Sequence, residues 1–361
     1  MLSRRNLIAS GLAVAGLGAA GFGLRPTMGA YDAEAARQRE WPSQDPKLDE
    51  LLRMATLAAN SHNTQPWKFK LADNHVSILP DFSRRTAVVD PDDHHLYISL
   101  GCAAENLILA ANANGWRTDA AIEKNGDTRI AIDLAVSQER KTDLFQAIPF
   151  RQSTRAEYDA TPVSVADLEL LTVAAEQEGV SVLIFTQASE REAVLDLVVQ
   201  ANSSQMDDPA FVAELRDWIR FSPTQALARN DGLFAACSGN PVIPGWMGAP
   251  LFSQFFRKAG ENDKYRRHIR SSAGIAVFIG DKGDPSHWIK VGQSFQRFAL
   301  QATVLGIRNA HVNQPIEVPQ VRDEFSRWLN MPNVRPDLIV RFGRGATLPM
   351  SLRRPVADIT I

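Results

Sequence analysis

The chain is short of cysteine and carries no surplus of either charge. Two cysteines in 361 residues exclude a disulfide-built scaffold and a four-cysteine zinc site. With 39 basic against 41 acidic residues, no basic excess is available to neutralise a row of phosphates, so nucleic acid is not an expected partner. A composition 45% apolar and 22% charged excludes a disordered chain and a polytopic membrane protein. Several catalytic signatures are also missing. There is no Cys-x-x-Cys, no His-x-x-x-His with a glutamate and no Gly-x-Ser-x-Gly elbow. No protein nucleophile, catalytic side chain or metal ligand is assigned. The pair His94-His95 is expected to be a solvated helix start, and His311 a hydrogen-bonded strand end.

The first thirty residues also lack acid, since neither Asp nor Glu occurs before Asp32. Ser3-Arg4-Arg5-Asn6-Leu7-Ile8 is followed by an uncharged run to Leu24, with small residues near Gly29-Ala30. That pattern reads as an export signal, and its paired arginines as the twin-arginine route. The localisation expected is periplasmic or exported, through the twin-arginine machinery. An uncleaved segment would tether the chain to the membrane. Gly16-Leu17-Gly18-Ala19-Ala20-Gly21 has dinucleotide-loop spacing but lies inside the signal, without the strand such a loop needs. Folded cargo on this route often already holds a cofactor, so a cofactor is the starting expectation. Cys102 reads as a buried small residue, and nothing pairs it with Cys237.

The remainder reads as α+β with a mixed sheet. Asp45-Pro46 is a helix start, followed by Leu48, Leu51, Leu52, Ala55 and Ala59 at helical spacing. Strands are expected at 75–79, 119–123 and 129–136, the last two around Asn125-Gly126, with a long apolar helix at 96–113. A second half begins near Ile148. Its expected helices are 164–178, 189–202, 208–219, 288–305 and 318–329, with strands at 180–186, 273–279, 307–312 and 338–342. Residues 221–250 read as a long lid or binding loop, with Phe234 and Trp246 exposed.

Two strings carry chemistry. Asn60-Ser61-His62-Asn63-Thr64-Gln65-Pro66-Trp67 crowds amides and hydroxyls into one loop, the mixture of uncharged donors and acceptors that a heteroaromatic ring needs. The same residues are ordinary for a helix end and turn. In Arg151-Gln152-Ser153-Thr154-Arg155, alternate residues of an extended segment share a face. Arg151, Ser153 and Arg155 would then clamp a phosphate dianion, or simply form a solvated basic edge. Arg353-Arg354-Pro355 could supply a further cation.

Together the two strings resemble the nitroreductase family of flavoproteins, and most closely its exported Acg-like branch. The family resemblance covers most of residues 45–358. It implies that Arg151, Ser153 and Arg155 hold the phosphate of FMN, with Arg353 as the C-terminal phosphate-binding arginine. Asn60, Ser61, Asn63 and Gln65 would hold the flavin ring. Leu305-Gly306-Ile307-Arg308-Asn309-Ala310-His311-Val312-Asn313-Gln314 resembles the strand end beside the flavin, which puts Asn313 and Gln314 near the ring. Trp218-Ile219-Arg220 and Asp231-Gly232-Leu233 resemble the branch's insertion before the lid. Asn60 stands where the family often has Ser, and His62 is unusual in it.

Each string occurs once, in a different half. The implied layout is a nitroreductase-like pseudo-dimer: a signal at 1–30, an N-terminal half at 31–147 with the ring loop, and a C-terminal half at 148–361 with the phosphate clamp and a lid insertion at about 205–270. It would be a monomer mimicking the family dimer. The implied activity is reduction of a small nitroaromatic or quinone acceptor through bound FMN, with NAD(P)H as donor. The alternatives are a non-catalytic protein that sequesters or stores FMN under the lid, and a structural variant without flavin.

Overall fold

The computed structural model describes residues 28–44 and 46–361. The export signal as far as Thr27, its Gly-x-Gly-x-x-Gly decoy and Asp45 lie outside the described residues. Two four-stranded antiparallel sheets frame the molecule. The first consists of β1 (Trp67–Ala72), β2 (His75–Pro80), β3 (Trp116–Glu123) and β4 (Arg129–Val136), in the order β1-β2-β4-β3. The second is drawn from the strands that follow: β5 (Val180–Phe185), the two-residue strands β6 (Ile219–Arg220) and β7 (Leu233–Phe234), then β8 (Gly274–Gly280), β9 (Arg308–His311) and β10 (Leu338–Gly343). Its order is β5-β8-β10-β9, while β6 and β7 form a small parallel pair.

Local chemistry fixes the hairpins. β1 and β2 pair from Trp67 opposite Pro80 to Ala72 opposite His75. This leaves a two-residue turn whose Asn74 takes the left-handed conformation at φ 54°. β1 was not anticipated, because its sequence continues a polar loop. Parallel bridges extend both sheets at their edges, Phe69 with Thr360 and Ser153 with Asn309. The end of the chain thus joins the first sheet, and the clamp string joins the second.

Two twenty-residue helices, His94–Ala113 and Pro285–Val304, pack against each other between the sheets. Glycines set their separation. A Cβ on Gly101 would lie 2.0 Å from the carbonyl oxygen of Ile289, and one on Gly292 would lie 2.0 Å from that of Ile98. One apolar core, including Trp67, Leu100, Ile130, Phe278, Phe295 and Phe298, draws on residues from Leu51 to Ile359. The helix His94–Ala113 is long and apolar enough to cross a membrane, yet it is buried within the protein. Its start is buried too. His94 and His95 are both enclosed, which corrects the solvated reading. Being covered on every side, this helix shows no polar face from which its depth could be read.

The helix expected from Asp45-Pro46 is Leu48–Thr56, beginning two residues beyond Pro46. Residues 28–37 are helical, and Tyr31 is buried against Phe234, with ring centroids 4.5 Å apart. Phe234 is therefore a core residue rather than an exposed one, whereas Trp246 is 79% exposed. The segment read as a loop at 221–250 contains the helix Pro223–Arg229 and the first half of Gly245–Phe255. Its glycines and prolines fall at helix ends and turns, which hides the helices from a composition reading. Cys102 and Cys237 are both free and buried.

Candidate functional site

The ring loop leaves the end of the helix Leu48–Thr56 and turns sharply. His62, Asn63 and Gln65 all hold positive φ, at 46°, 52° and 54°. Left-handed backbone at three non-glycine residues costs free energy and needs outside support. Buried hydrogen bonds from distant elements supply it. Gln296 on the second central helix accepts from the Ala59 N–H at 3.2 Å, and Ser99 Oγ on the first accepts from the Ser61 N–H at 3.2 Å. Asn60 Oδ1 accepts from the Gln65 N–H at 2.9 Å.

Two adjacent cavities adjoin this loop. The larger, about 210 Å³, is lined by Asn60, Ser61, His62, Arg155, Asn313 and Gln314, among others. Phe211, Leu215, Phe256 and Tyr265, from segment 205–270, form another part of its wall. The smaller, about 40 Å³, is lined by Arg39, Asn60, Asn63, Arg151, Ser153, Arg155, Ser351 and Arg353. Asn60, Arg155, Ala59 and Leu233 border both. The structure thus brings Arg151, Ser153 and Arg155 to one pocket, as alternation along an extended segment predicts.

The small pocket is cationic without a counter-charge. Among the described residues, no carboxylate pairs with Arg39, Arg151, Arg155 or Arg353, although Arg151 and Arg353 are buried and the other two half-buried. Burial lowers the Arg39 and Arg151 guanidinium pKa values to about 10, and lowers Arg155 and Arg353 as well. Arg151 donates through Nη2 to the Leu57 carbonyl at 2.9 Å. Its Nε and Nη1 are buried and have no partner among the described residues. Buried donors are rarely left unpaired, and a charged donor least of all. An anion in this pocket would satisfy them and offset the mutual repulsion of the arginines.

Arg353 behaves differently from Arg151. Its donors go to the Thr56 carbonyl at 2.6 Å, the Ala58 carbonyl at 3.2 Å and Asn63 Oδ1 at 2.9 Å. Further bonds run to the carbonyls of Leu57, Ser351 and Leu352. It caps the carboxyl end of the helix Leu48–Thr56, where a cation is favoured by the helix dipole. It lends the pocket charge, with its hydrogen bonds already committed.

Asn63 and Gln65 are also committed. Asn63 Nδ2 donates to the carbonyls of Gly232 and Leu352 at 3.0 and 3.2 Å, and the Gly232 N–H donates back to the Asn63 carbonyl. Gln65 Nε2 donates to the Asn230 carbonyl at 2.8 Å, while its Oε1 accepts from the Arg354 N–H at 2.7 Å. Gln65 is fully buried and borders neither cavity. These two amides fasten the loop to the insertion and to the C-terminal segment. Asp231, next to Gly232, receives Arg84 at 2.5 Å and Arg220 at 2.7 Å, and both guanidiniums lie by the Trp218 ring.

Near the other end of the large cavity, Asn313 Oδ1 accepts from the Ile339 N–H at 2.9 Å. Gln314 donates to the Tyr265 hydroxyl, and its Oε1 is buried without a partner among the described residues. His311 closes β9 with its Nδ1 likewise unpartnered and its ring 4.6 Å from that of Phe295, so the hydrogen-bonded reading is corrected. Burial pulls the His311 and His62 pKa values down to about 3 and about 4, so both are neutral at pH 7.

Sequence reasoning missed Arg39, His95 and Glu317. Arg39 reaches the pocket only through tertiary packing of the 28–37 helix region. Glu317 is three residues past Gln314, so the strand-end string offered a signal for it. Asp90, His94 and His95 approach closely enough to suggest a metal, but Asp90 already accepts two backbone N–H groups and His94 pairs with Asp337 at 2.8 Å.

No protein-family model matches the chain. It is similar to a putative NAD(P)H nitroreductase of Mycobacterium tuberculosis, Rv3131, with 23% identity over 86% of this chain and 89% of that one. Another putative NAD(P)H nitroreductase of that organism, acg, is 21% identical over 85% of this chain and 93% of its own length. Among solved structures, a nitroreductase with bound FMN from Bacteroides fragilis overlaps 57% of this chain and 90% of its own, with 16% identity and a TM-score of 0.36. The sequence similarity to both mycobacterial proteins, each named a putative NAD(P)H nitroreductase, runs through most of each chain.

Proposed function

We propose that the chain is an FMN-dependent oxidoreductase, taking electrons from NAD(P)H and reducing a small nitroaromatic or quinone acceptor. The observation that carries this reading is the unpaired Arg151 guanidinium, buried among three further arginines beside a larger, amide-lined cavity. A phosphate monoester on a flat heteroaromatic ring suits that pair of spaces. Arg151, Ser153 and Arg155 would hold the phosphate, with Arg39 and Arg353 adding positive potential. Asn60, Ser61 and Gln314 would meet the ring. FMN bound there would supply the hydride chemistry. The chain's own contribution is orientation, exclusion of water by the insertion and a positive field where negative charge develops.

The similarity to proteins named NAD(P)H nitroreductases supports the donor class. Export by the twin-arginine route and a monomer that mimics a family dimer complete the proposal. The reciprocal contact of Gly101 and Gly292 favours the latter, since a two-fold axis produces that pattern. The test is an absorption spectrum of the chain from residue 31 onward, supplied with FMN and then, without oxygen, with NADPH. A bound flavin band that bleaches supports the reductase. A bound band that persists identifies a flavin holder, and failure to bind FMN overturns the proposal.

A further inference from the structure

Among the described residues, only His95 and Glu317 border both the cavity beside the ring loop and a separate outer one. The outer cavity, about 240 Å³, is lined by Asp90, Asp92, Arg322 and Arg335 besides this pair. His95 Nε2 lies 3.5 Å from Glu317 Oε1, and Glu317 Oε2 accepts from Gln205 Nε2 at 2.7 Å. Both side chains are largely buried and form a thin polar wall between two spaces. The outer one has room for several waters and polar groups to hold them, including an Arg335 Nε with no partner among the described residues.

We propose that the His95–Glu317 pair is a proton relay, passing protons from the outer cavity to an electron acceptor reduced in the inner one. The inference rests on the oxidoreductase reading above. Two-electron reduction of a quinone consumes one proton and one hydride equivalent, the latter supplied by a reduced nicotinamide. The N–H bond at His95 Nε2 breaks and an O–H bond forms on the acceptor. His95 is left neutral, and a proton passed from bulk solvent through water in the outer cavity restores it. Residues of segment 205–270 form part of the inner cavity's wall, and this pair gives an acceptor there a proton route besides the cavity mouth.

The neighbours decide which histidine can serve. Burial opposes a charge on His95, but Glu317 and Asp90 outweigh it and raise its pKa, against the opposing charge of Arg335. Burial likewise opposes the Glu317 carboxylate, and the hydrogen bonds and charge of His95, with Gln205, outweigh it. His94, whose ring centroid is 4.7 Å away, is kept neutral by burial and bonds to Asp337. Arg322 and Asp92 lie across the outer cavity. His62 and His311 face the inner cavity without a proton to give at pH 7.

The test uses the FMN-loaded chain, NADPH and a 1,4-naphthoquinone, with the His95→Gln and Glu317→Gln variants. FMN affinity should be unchanged in both. In the parent, quinone reduction should slow as pH rises through the His95 midpoint and show a solvent deuterium effect. His95→Gln should run about tenfold or more slower and lose both signatures. An NMR titration of the imidazoles gives a readout independent of turnover, in which Glu317→Gln should lower the His95 midpoint. Tight FMN with an unaltered pH profile and isotope effect in His95→Gln overturns the relay and leaves the oxidoreductase reading standing. An unmoved His95 midpoint also overturns it. A parent chain that binds no FMN overturns both.

Discussion

Gly101 and Gly292 are each other's counterparts across the central helix pair. Each faces the carbonyl oxygen of the residue three positions before the other, Ile289 and Ile98, and each leaves 2.0 Å for a Cβ that is not there. A methyl at either position must push two backbones apart, and backbone cannot yield as a side-chain tip can. Gly101→Ala and Gly292→Ala should each destabilise the protein by about 2 kcal/mol or more, despite the better helix propensity of alanine. Urea unfolding monitored by circular dichroism measures this. Both substitutions together should cost less than the sum, because the first already opens the seam.

Arg151→Ala should weaken FMN binding by about tenfold to a hundredfold, through the loss of charge-assisted donors to the phosphate. Arg155→Ala should act in the same direction, and the double variant more strongly. Fluorescence quenching of added FMN reads the affinity. A folded double variant with parental affinity would remove the clamp assignment. Arg353→Met should chiefly lower stability, since its donors cap a helix.

Asp231→Asn should destabilise the protein by about 3 kcal/mol, because it leaves Arg84 and Arg220 enclosed without their carboxylate. Cleavage within residues 205–270 by a low concentration of protease should speed up. Reduction of bound FMN by small external donors should also quicken if this tie holds the roof of the cavity closed.

Acid should weaken the fold from near neutrality downward. Burial depresses His62 to about 4 and His311 to about 3 in the folded chain, below the ordinary histidine value of 6.5. The unfolded state therefore takes up protons first as pH falls. The stability contributed is complete above about pH 6.5 and declines toward the folded values. Urea midpoints between pH 7 and 4.5 should fall, and His311→Gln should remove close to one proton from the slope.

Much of the fold was legible because its helices and strands carry ordinary signals. Ser164 and Asp284 cap helices near their expected starts, and β8 and β10 are short apolar runs. Elements whose signals are tertiary escaped. β1 is a strand because it pairs with β2 and meets Thr360, and the insertion helices hide among prolines and glycines. At the site, the Arg151–Arg155 alternation was readable because extended backbone sends alternate side chains one way. Asn63 and Gln65 looked like ring contacts, and their true partners, Gly232, Asn230 and Arg354, are remote in sequence. His95 looked solvated because nothing local reveals that the helix bearing it runs through the middle of the molecule.

The hydrogen bond from Arg353 to Asn63 joins positions 290 residues apart. A ribosome builds the ring loop 290 residues before the arginine that secures it. Until residue 353 has emerged, the anion pocket lacks a wall and the loop's left-handed turns lack their brace. Acquisition of a ligand is thus expected to wait until that arginine has emerged and locked the place where the ligand goes.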